Sequence, residues 1–67
     1  MTSKQIEKYW LKQVRVFYLN SYNDPCNQIG IITAVGERFI LFHANGDEGD
    51  ERPVKIEKIT DIKEITQ

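Results

Sequence analysis

Residues 28–46, QIGIITAVGERFILFHANG, constrain the fold most, because two apolar runs flank a very short turn. Strict alternation puts Ile29, Ile31 and Val35 on one face of the first run and Ile32 on the other. The second run is apolar on both faces as well. An antiparallel hairpin in a small chain normally keeps one face in water. The sequence therefore predicts a hairpin whose second face has to be covered by something else.

Two glycines shape this hairpin. Gly36 and Glu37 are predicted to be the central residues of a type II′ turn, which takes glycine at its first central position. Gly30 lies within the first strand, where the missing side chain permits a sharp bend.

A helix is predicted over residues 3–13. Thr2 and Gln5 have the spacing of a capping box, in which each side chain bonds to the other residue's backbone N–H. The apolar residues that follow at helical spacing are Ile6, Tyr9 and Trp10. We expect this stripe to cover part of the outside of the sheet.

The rest of the chain alternates as short strands do. The predicted strands are residues 14–20, 28–35, 38–44, 53–57 and 60–65. A 3₁₀-like turn over residues 58–60 would keep the isoleucines of the terminal segment on one side. These elements predict one domain, residues 1–67, that is mainly β: a helix and then a five-stranded, strongly bent antiparallel SH3-like barrel. Its remaining apolar outer surface predicts self-association.

Composition limits the compartment and the partners. The single cysteine, Cys26, permits neither an intrachain disulfide nor a cysteine zinc cluster. No apolar run approaches the roughly 20 residues that span a bilayer, and the N-terminal residues lack a secretory signal. We expect a cytoplasmic protein with no membrane partner.

Catalytic and metal-binding patterns are missing. His43 has no second ligand at metal spacing, and the acidic segment DEGDE, residues 47–51, lacks the spaced ligands of a calcium loop. The sequence contains no arguable Ser–His–acid triad and no phosphate-binding glycine loop. We expect no enzymatic activity, no metal and no cofactor.

The helix, VRVFYLN, GIITAVGERFILF, a polar loop and VKIEKITDIKEI follow one another in an order that resembles the Sm-like fold, which includes the bacterial RNA chaperone Hfq. The resemblance covers nearly the whole chain, and Gly30 lies within the second strand as in that family. The C-terminal part is also similar to small YolD-like proteins. The Sm-like resemblance implies a homo-oligomeric ring in which the fourth strand of one subunit pairs with the fifth strand of the next. The implied interface residues are Val54, Ile56, Ile62 and Ile65.

The same resemblance implies single-stranded RNA bound at two turns, residues 36–39 and 57–60. Cations beside aromatic rings suit such RNA, because phosphates pair with the charge and bases stack on the ring. Lys4, Lys8 and Lys12 are spaced by four on the predicted helix and, with Arg15, are expected to form a basic stripe. The candidate RNA-binding residues are Lys4, Lys8, Lys12, Arg15, Arg38, Phe39 and Lys58. The chain departs from Hfq at Ile56 and Glu57, which replace a lysine–histidine pair, and at Gly36, where the family has an acid.

Two classes of function follow. The first is a non-enzymatic, oligomeric Sm-like protein that binds single-stranded RNA or regulates RNA. The alternative is a small protein-interaction module or adaptor that binds no nucleic acid. A net charge of −1 and the acidic segment favour the alternative. The acids of that segment are Asp47, Glu48, Asp50 and Glu51.

Overall fold

The computed structural model describes residues 1–44 and 51–65, which form one short helix and five strands of a single antiparallel sheet. The elements are α1 (Ser3–Glu7), β1 (Gln13–Leu19), β2 (Pro25–Val35), β3 (Phe39–Ala44), β4 (Arg52–Lys55), a 3₁₀ turn (Ile56–Lys58) and β5 (Ile59–Glu64). A mainly β chain with a five-stranded antiparallel sheet after an N-terminal helix is thus confirmed.

The strand order explains why the sheet is bent. It runs β4-β3-β2-β1-β5, so β4 and β5 are the two edges, and the sheet is not closed. Four strand spacings of about 4.8 Å would separate the edges of a flat sheet by about 19 Å. The four residue-to-residue steps from Lys55 to Ile59 span at most about 14 Å, and the 3₁₀ turn shortens this distance further. The sheet must therefore curl until its edges approach each other.

The helix ends earlier than predicted. Its capping box is confirmed: Thr2 Oγ1 accepts the Gln5 N–H, and Gln5 Oε1 accepts the Thr2 N–H. The prediction of a helix to residue 13 is wrong, because α1 ends at Glu7. Leu11 adopts a left-handed backbone with φ 61°, and its N–H donates to the Ile32 carbonyl at 2.8 Å. The backbone that would continue the helix bonds to β2 instead.

The helix also packs on a different side of the sheet than expected. Ile6 is fully buried within the core on the inner, concave face of the sheet, whereas Trp10 stays 55% exposed. The expectation that this stripe covers the outside is therefore wrong. The core consists of Ile6, Val14, Val16, Ile32, Ile40, Phe42, Ile56, Ile59 and Ile62. Burying the one apolar side chain that α1 offers to the core stabilises a helix too short to persist alone.

A bulge at Thr33 redistributes the side chains of β2. The pairing of β2 with β3 shifts there, so Ile32 lies opposite Phe42 and Val35 lies opposite Ile40. Both β2 residues consequently face the core, because one extra residue inverts the alternation beyond it. The alternation read from the sequence, which placed Val35 on the face opposite Ile32, is therefore wrong beyond the bulge.

Both predicted turns are present, but their positions and the type of the first one differ from the prediction. The Gly36 N–H donates to the Phe39 carbonyl at 2.8 Å, so Glu37 and Arg38 are the central residues. Neither has a positive φ, and Gly36 lies outside the left-handed region, so the type II′ turn is wrong. The second turn occupies Ile56–Lys58 rather than residues 58–60, and the isoleucines around it are buried as expected.

None of the helices in residues 1–44 and 51–65 has the length and apolar character needed to cross a bilayer.

Candidate functional site

An open depression of about 450 Å³ lies where the β2–β3 turn meets the end of β4. It brings together three segments that are far apart in the sequence: the N-terminal residue, the β2–β3 turn, and the end of β4 with the residues after it. Its lining residues are Met1, Glu37, Arg38, Phe39, Lys55, Ile56 and Glu57.

The walls of the depression are held by backbone pairing. Phe39 begins β3 and lies directly opposite Lys55, the last residue of β4. The Ile56 N–H donates to the Arg38 carbonyl at 2.8 Å and so ties the turn to the 3₁₀ segment. The Ile56 side chain is only 5% exposed and anchors this junction in the core. Strand pairing, the backbone hydrogen bond and the buried Ile56 therefore position the exposed side chains of the depression.

The exposed groups suit a ligand that has both a flat face and negative charge. Phe39 is 45% exposed, and Arg38 and Lys55 are exposed cations beside it. An aromatic ring offers a stacking surface to a base, and the cations attract phosphates. Glu37 and Glu57 are exposed acids on the same rim, and their carboxylates can only accept hydrogen bonds. The rim of the depression therefore carries two cationic and two acidic side chains around one exposed aromatic ring.

The basic residues of the N-terminal segment do not form the expected stripe. Lys4 lies on α1, Lys8 is its C-cap, and Lys12 follows the left-handed Leu11. Lys8 Nζ lies 5.2 Å from the centre of the Tyr9 ring. Lys12 Nζ lies 3.3 Å from Glu64 Oε1. A shared helical face is lost because the helix ends before the third lysine.

The remaining candidates are dispersed as well. Arg15 lies on the outer face of β1 and donates to Asn27 Oδ1 at 2.6 Å. Lys58 donates from Nζ to Asn23 Oδ1 at 2.8 Å and thereby joins the 3₁₀ turn to the β1–β2 loop. Of the predicted RNA-binding residues, the structure brings only Arg38 and Phe39 together in the depression.

Two exposed residues were missed by the sequence reading. Lys55 lines the depression because the β3–β4 register places it opposite Phe39. That register could not be read from one sequence. Tyr22 is 83% exposed in the β1–β2 loop. Asn20 Oδ1 accepts the backbone N–H groups of Tyr22 and Asp24 and orders that loop. The residues Asn–Ser–Tyr–Asn–Asp indicated a turn, but not the two hydrogen bonds to Asn20 that organise it.

The side chains of the predicted interface residues are buried or half-buried within the chain itself. Ile56 and Ile62 are 5% and 3% exposed, so their side chains are unavailable to a second copy. Val54 and Ile65 are half-buried. The backbones of β4 and β5 nevertheless form the two sheet edges, and a ring joined through them stays a prediction.

The other candidates from the sequence have ordinary surroundings. His43 is half-buried and lies opposite Ile31. Cys26 is half-buried, with its Sγ 3.5 Å from Asn20 Nδ2. Among the residues that the structure describes, no cluster of three or more histidine, cysteine, aspartate or glutamate residues is placed to hold a metal. The acidic segment lies outside the described residues except for the exposed Glu51.

Comparison with known proteins gives no match: no family model, no curated protein and no solved structure matches this chain.

Proposed function

We propose that the chain is a non-enzymatic, Sm-like small-barrel protein that binds single-stranded RNA at the depression around Phe39. The strand order β4-β3-β2-β1-β5, with a 3₁₀ turn linking the two edges, supports an SH3-like barrel of the Sm type. The curl that the short edge connection demands supports it as well.

The convergence of the two turns carries the proposal. The Sm-like resemblance implies RNA at the β2–β3 turn and at the β4–β5 turn, and these two turns line one depression. A bond from the Ile56 N–H to the Arg38 carbonyl joins them. The exposed Phe39 ring then stacks on a base, while Arg38 and Lys55 pair with the flanking phosphates.

Replacing Phe39 with alanine is expected to weaken RNA binding by about 5- to 150-fold, because stacking on one aromatic ring contributes about 1–3 kcal/mol. The measurement is fluorescence anisotropy of labelled 12-nucleotide uridine and adenosine oligomers at low salt. Arg38→Gln and Lys55→Gln are expected to lower the salt slope of log K by about 0.7 each, as one phosphate contact is lost.

Lys4→Gln is the matched control, since it removes one positive charge from an exposed side chain that does not line the depression. It should leave both affinity and salt slope nearly unchanged. Absence of any RNA binding at low salt by the unmodified protein contradicts the proposal. An equal loss in Lys4→Gln and Arg38→Gln contradicts the location.

We further propose that copies of the chain associate by pairing the β4 edge of one with the β5 edge of another, since open strand edges are templates for such pairing. A proline in place of Thr60, an exposed residue of β5, would remove one backbone donor. It would also remove the hydrogen bond from Thr60 Oγ1 to the Phe17 carbonyl, so its effects on folding and on assembly would not be separable.

Light scattering of the unmodified chain is the cleaner measurement. A mass several times that of one chain, independent of dilution, is expected for a closed ring. A monomer at high concentration contradicts the assembly and leaves the RNA site to be judged by its own titration.

A protein-interaction module is the second candidate function. The observation that favours it is the exposed apolar area on the outer face of the hairpin, where Ile31 and Leu41 are each 37% exposed.

A further inference from the structure

Another depression, of about 490 Å³, lies where the end of α1 meets the end of β2. This Trp10 depression is lined by Glu7, Trp10, Thr33, Ala34 and Val35. It shares none of these residues with the depression around Phe39. Glu7 and Trp10 are exposed, whereas the three lining residues of β2 are half-buried. The Trp10 depression therefore presents one carboxylate and one indole ring to the solvent.

The Trp10 ring is held in a fixed position. Its Nε1–H donates to the Thr33 carbonyl at 3.0 Å, and its backbone N–H donates to the Glu7 carbonyl at 3.0 Å. The Trp10 backbone also forms a bridge to Ile32 of β2. The side chain is nevertheless 55% exposed. A ligand that stacks on this ring would lose little free energy in ordering it.

The Glu7 carboxylate has no ion-pair or hydrogen-bond partner in the part of the chain that the structure describes. Of the lysines nearby in the sequence, Lys12 pairs with Glu64, and neither Lys4 nor Lys8 forms an ion pair with Glu7. Helix C-termini favour cations, so α1 gains nothing from a carboxylate at its last residue. The fold therefore leaves this negative charge available beside the indole ring.

A guanidinium group matches the ring and the carboxylate together. It is a planar cation that can lie flat on an indole face, and its N–H fork can donate two hydrogen bonds to one carboxylate. A lysine ammonium is more strongly hydrated and lacks the planar fork. A phosphate would meet Glu7 as a like charge, which disfavours a nucleic acid strand at this position.

We propose that the Trp10 depression binds an arginine side chain of a partner protein. The guanidinium lies on the indole ring and pairs with the Glu7 carboxylate. The methylene groups of the same arginine contact Ala34 and Val35, as the stems of long cationic side chains commonly cover apolar surface. The proposal does not rest on RNA binding, because the two depressions are lined by different residues.

The indole N–H of Trp10 reports binding directly, because a chain with one tryptophan gives one indole cross-peak in a nitrogen–proton NMR spectrum. The probes are blocked tripeptides with glycine on each side of arginine, lysine or citrulline, which has the shape of arginine without its charge. We expect the arginine peptide to shift the cross-peak saturably and its methylenes to give nuclear Overhauser contacts to the indole ring. The lysine peptide should bind about threefold more weakly and the citrulline peptide at least about tenfold more weakly.

Two variants test the role of the carboxylate. Glu7→Gln keeps the size of the side chain and should weaken the arginine peptide about three- to fivefold, because an exposed ion pair is lost. Asp24→Asn is the matched control, since it removes one negative charge from an exposed side chain that does not line the Trp10 depression. It should bind the peptide as the unmodified chain does. Circular dichroism verifies that both variants are folded.

Four results overturn the proposal. The first is equal affinity of the unmodified chain for the arginine and citrulline peptides. The second is an equal loss of affinity in Glu7→Gln and Asp24→Asn. The third is an indole shift with a uridine oligomer but not with the arginine peptide, which indicates a nucleic acid at this position. The fourth is a concentration-dependent indole shift without any peptide, which indicates a second copy of the chain.

Discussion

Replacing Gly30 with alanine is expected to prevent folding at room temperature. An alanine Cβ at this position would lie 2.8 Å from the Ala44 Cα and still closer to the His43 carbonyl oxygen. Both contacts are with the backbone of β3, so no side-chain rotation relieves them. Gly30 is buried and paired on its other side with Val14. The strand cannot move away without breaking a second ladder.

The expected cost is about 3 kcal/mol or more, as severe overpacking exceeds the usual range for core insertions. A domain of this size has only about 3–5 kcal/mol of stability to lose. Far-ultraviolet circular dichroism and urea unfolding measure the effect. The expected results are the circular dichroism spectrum of an unfolded chain and the absence of the cooperative urea transition that the unmodified chain shows.

Gly36→Ala is the matched control for this prediction. A Cβ at that position would lie 3.1 Å from the Phe39 carbonyl oxygen, and the backbone there is not left-handed. We expect a change within about 1 kcal/mol, because alanine also lowers the entropy of the unfolded chain. If Gly30→Ala unfolds at the same urea concentration as Gly36→Ala, the close β2–β3 approach is wrong.

The second large effect is expected for Ile6→Ala. Ile6 is fully buried and is the only buried residue of α1. Removing it should cost about 2–5 kcal/mol, from lost transfer energy and from the cavity that remains. A five-residue helix has no stability of its own, so its loss of contact should release the whole N-terminal segment.

Urea unfolding gives the free energy, and Trp10 emission reports the release of the segment. The Trp10 indole should move to a longer emission wavelength once its bond to the Thr33 carbonyl is lost. Lys4→Ala is the control, since Lys4 is exposed on the same helix and alanine favours helix. Equal stability of the Ile6→Ala and Lys4→Ala proteins would show that α1 does not complete the core.

The candidate site was predictable in part. Arg38 and Phe39 are neighbours in the sequence, so a cation beside an aromatic ring in a turn was visible there. Lys55 joins them through strand pairing across 16 residues of chain, which local spacing does not encode. The stripe of Lys4, Lys8 and Lys12 failed for the opposite reason. It assumed that the helix continues through Lys12, whereas α1 ends at Glu7.

The strand content of this protein, the capping box at Thr2 and the need for a turn among the terminal isoleucines are determined by the sequence itself, because they depend on neighbours a few residues apart. Only the tertiary structure decided where the alternation slips at Thr33, and which face of the sheet buries Ile6. Both depend on how the five-stranded sheet curls around the side chains that are buried in the described part of the chain, a balance of packing between distant segments. The apolar second face of the hairpin was visible from the start. That it stays exposed follows from the helix packing on the concave side.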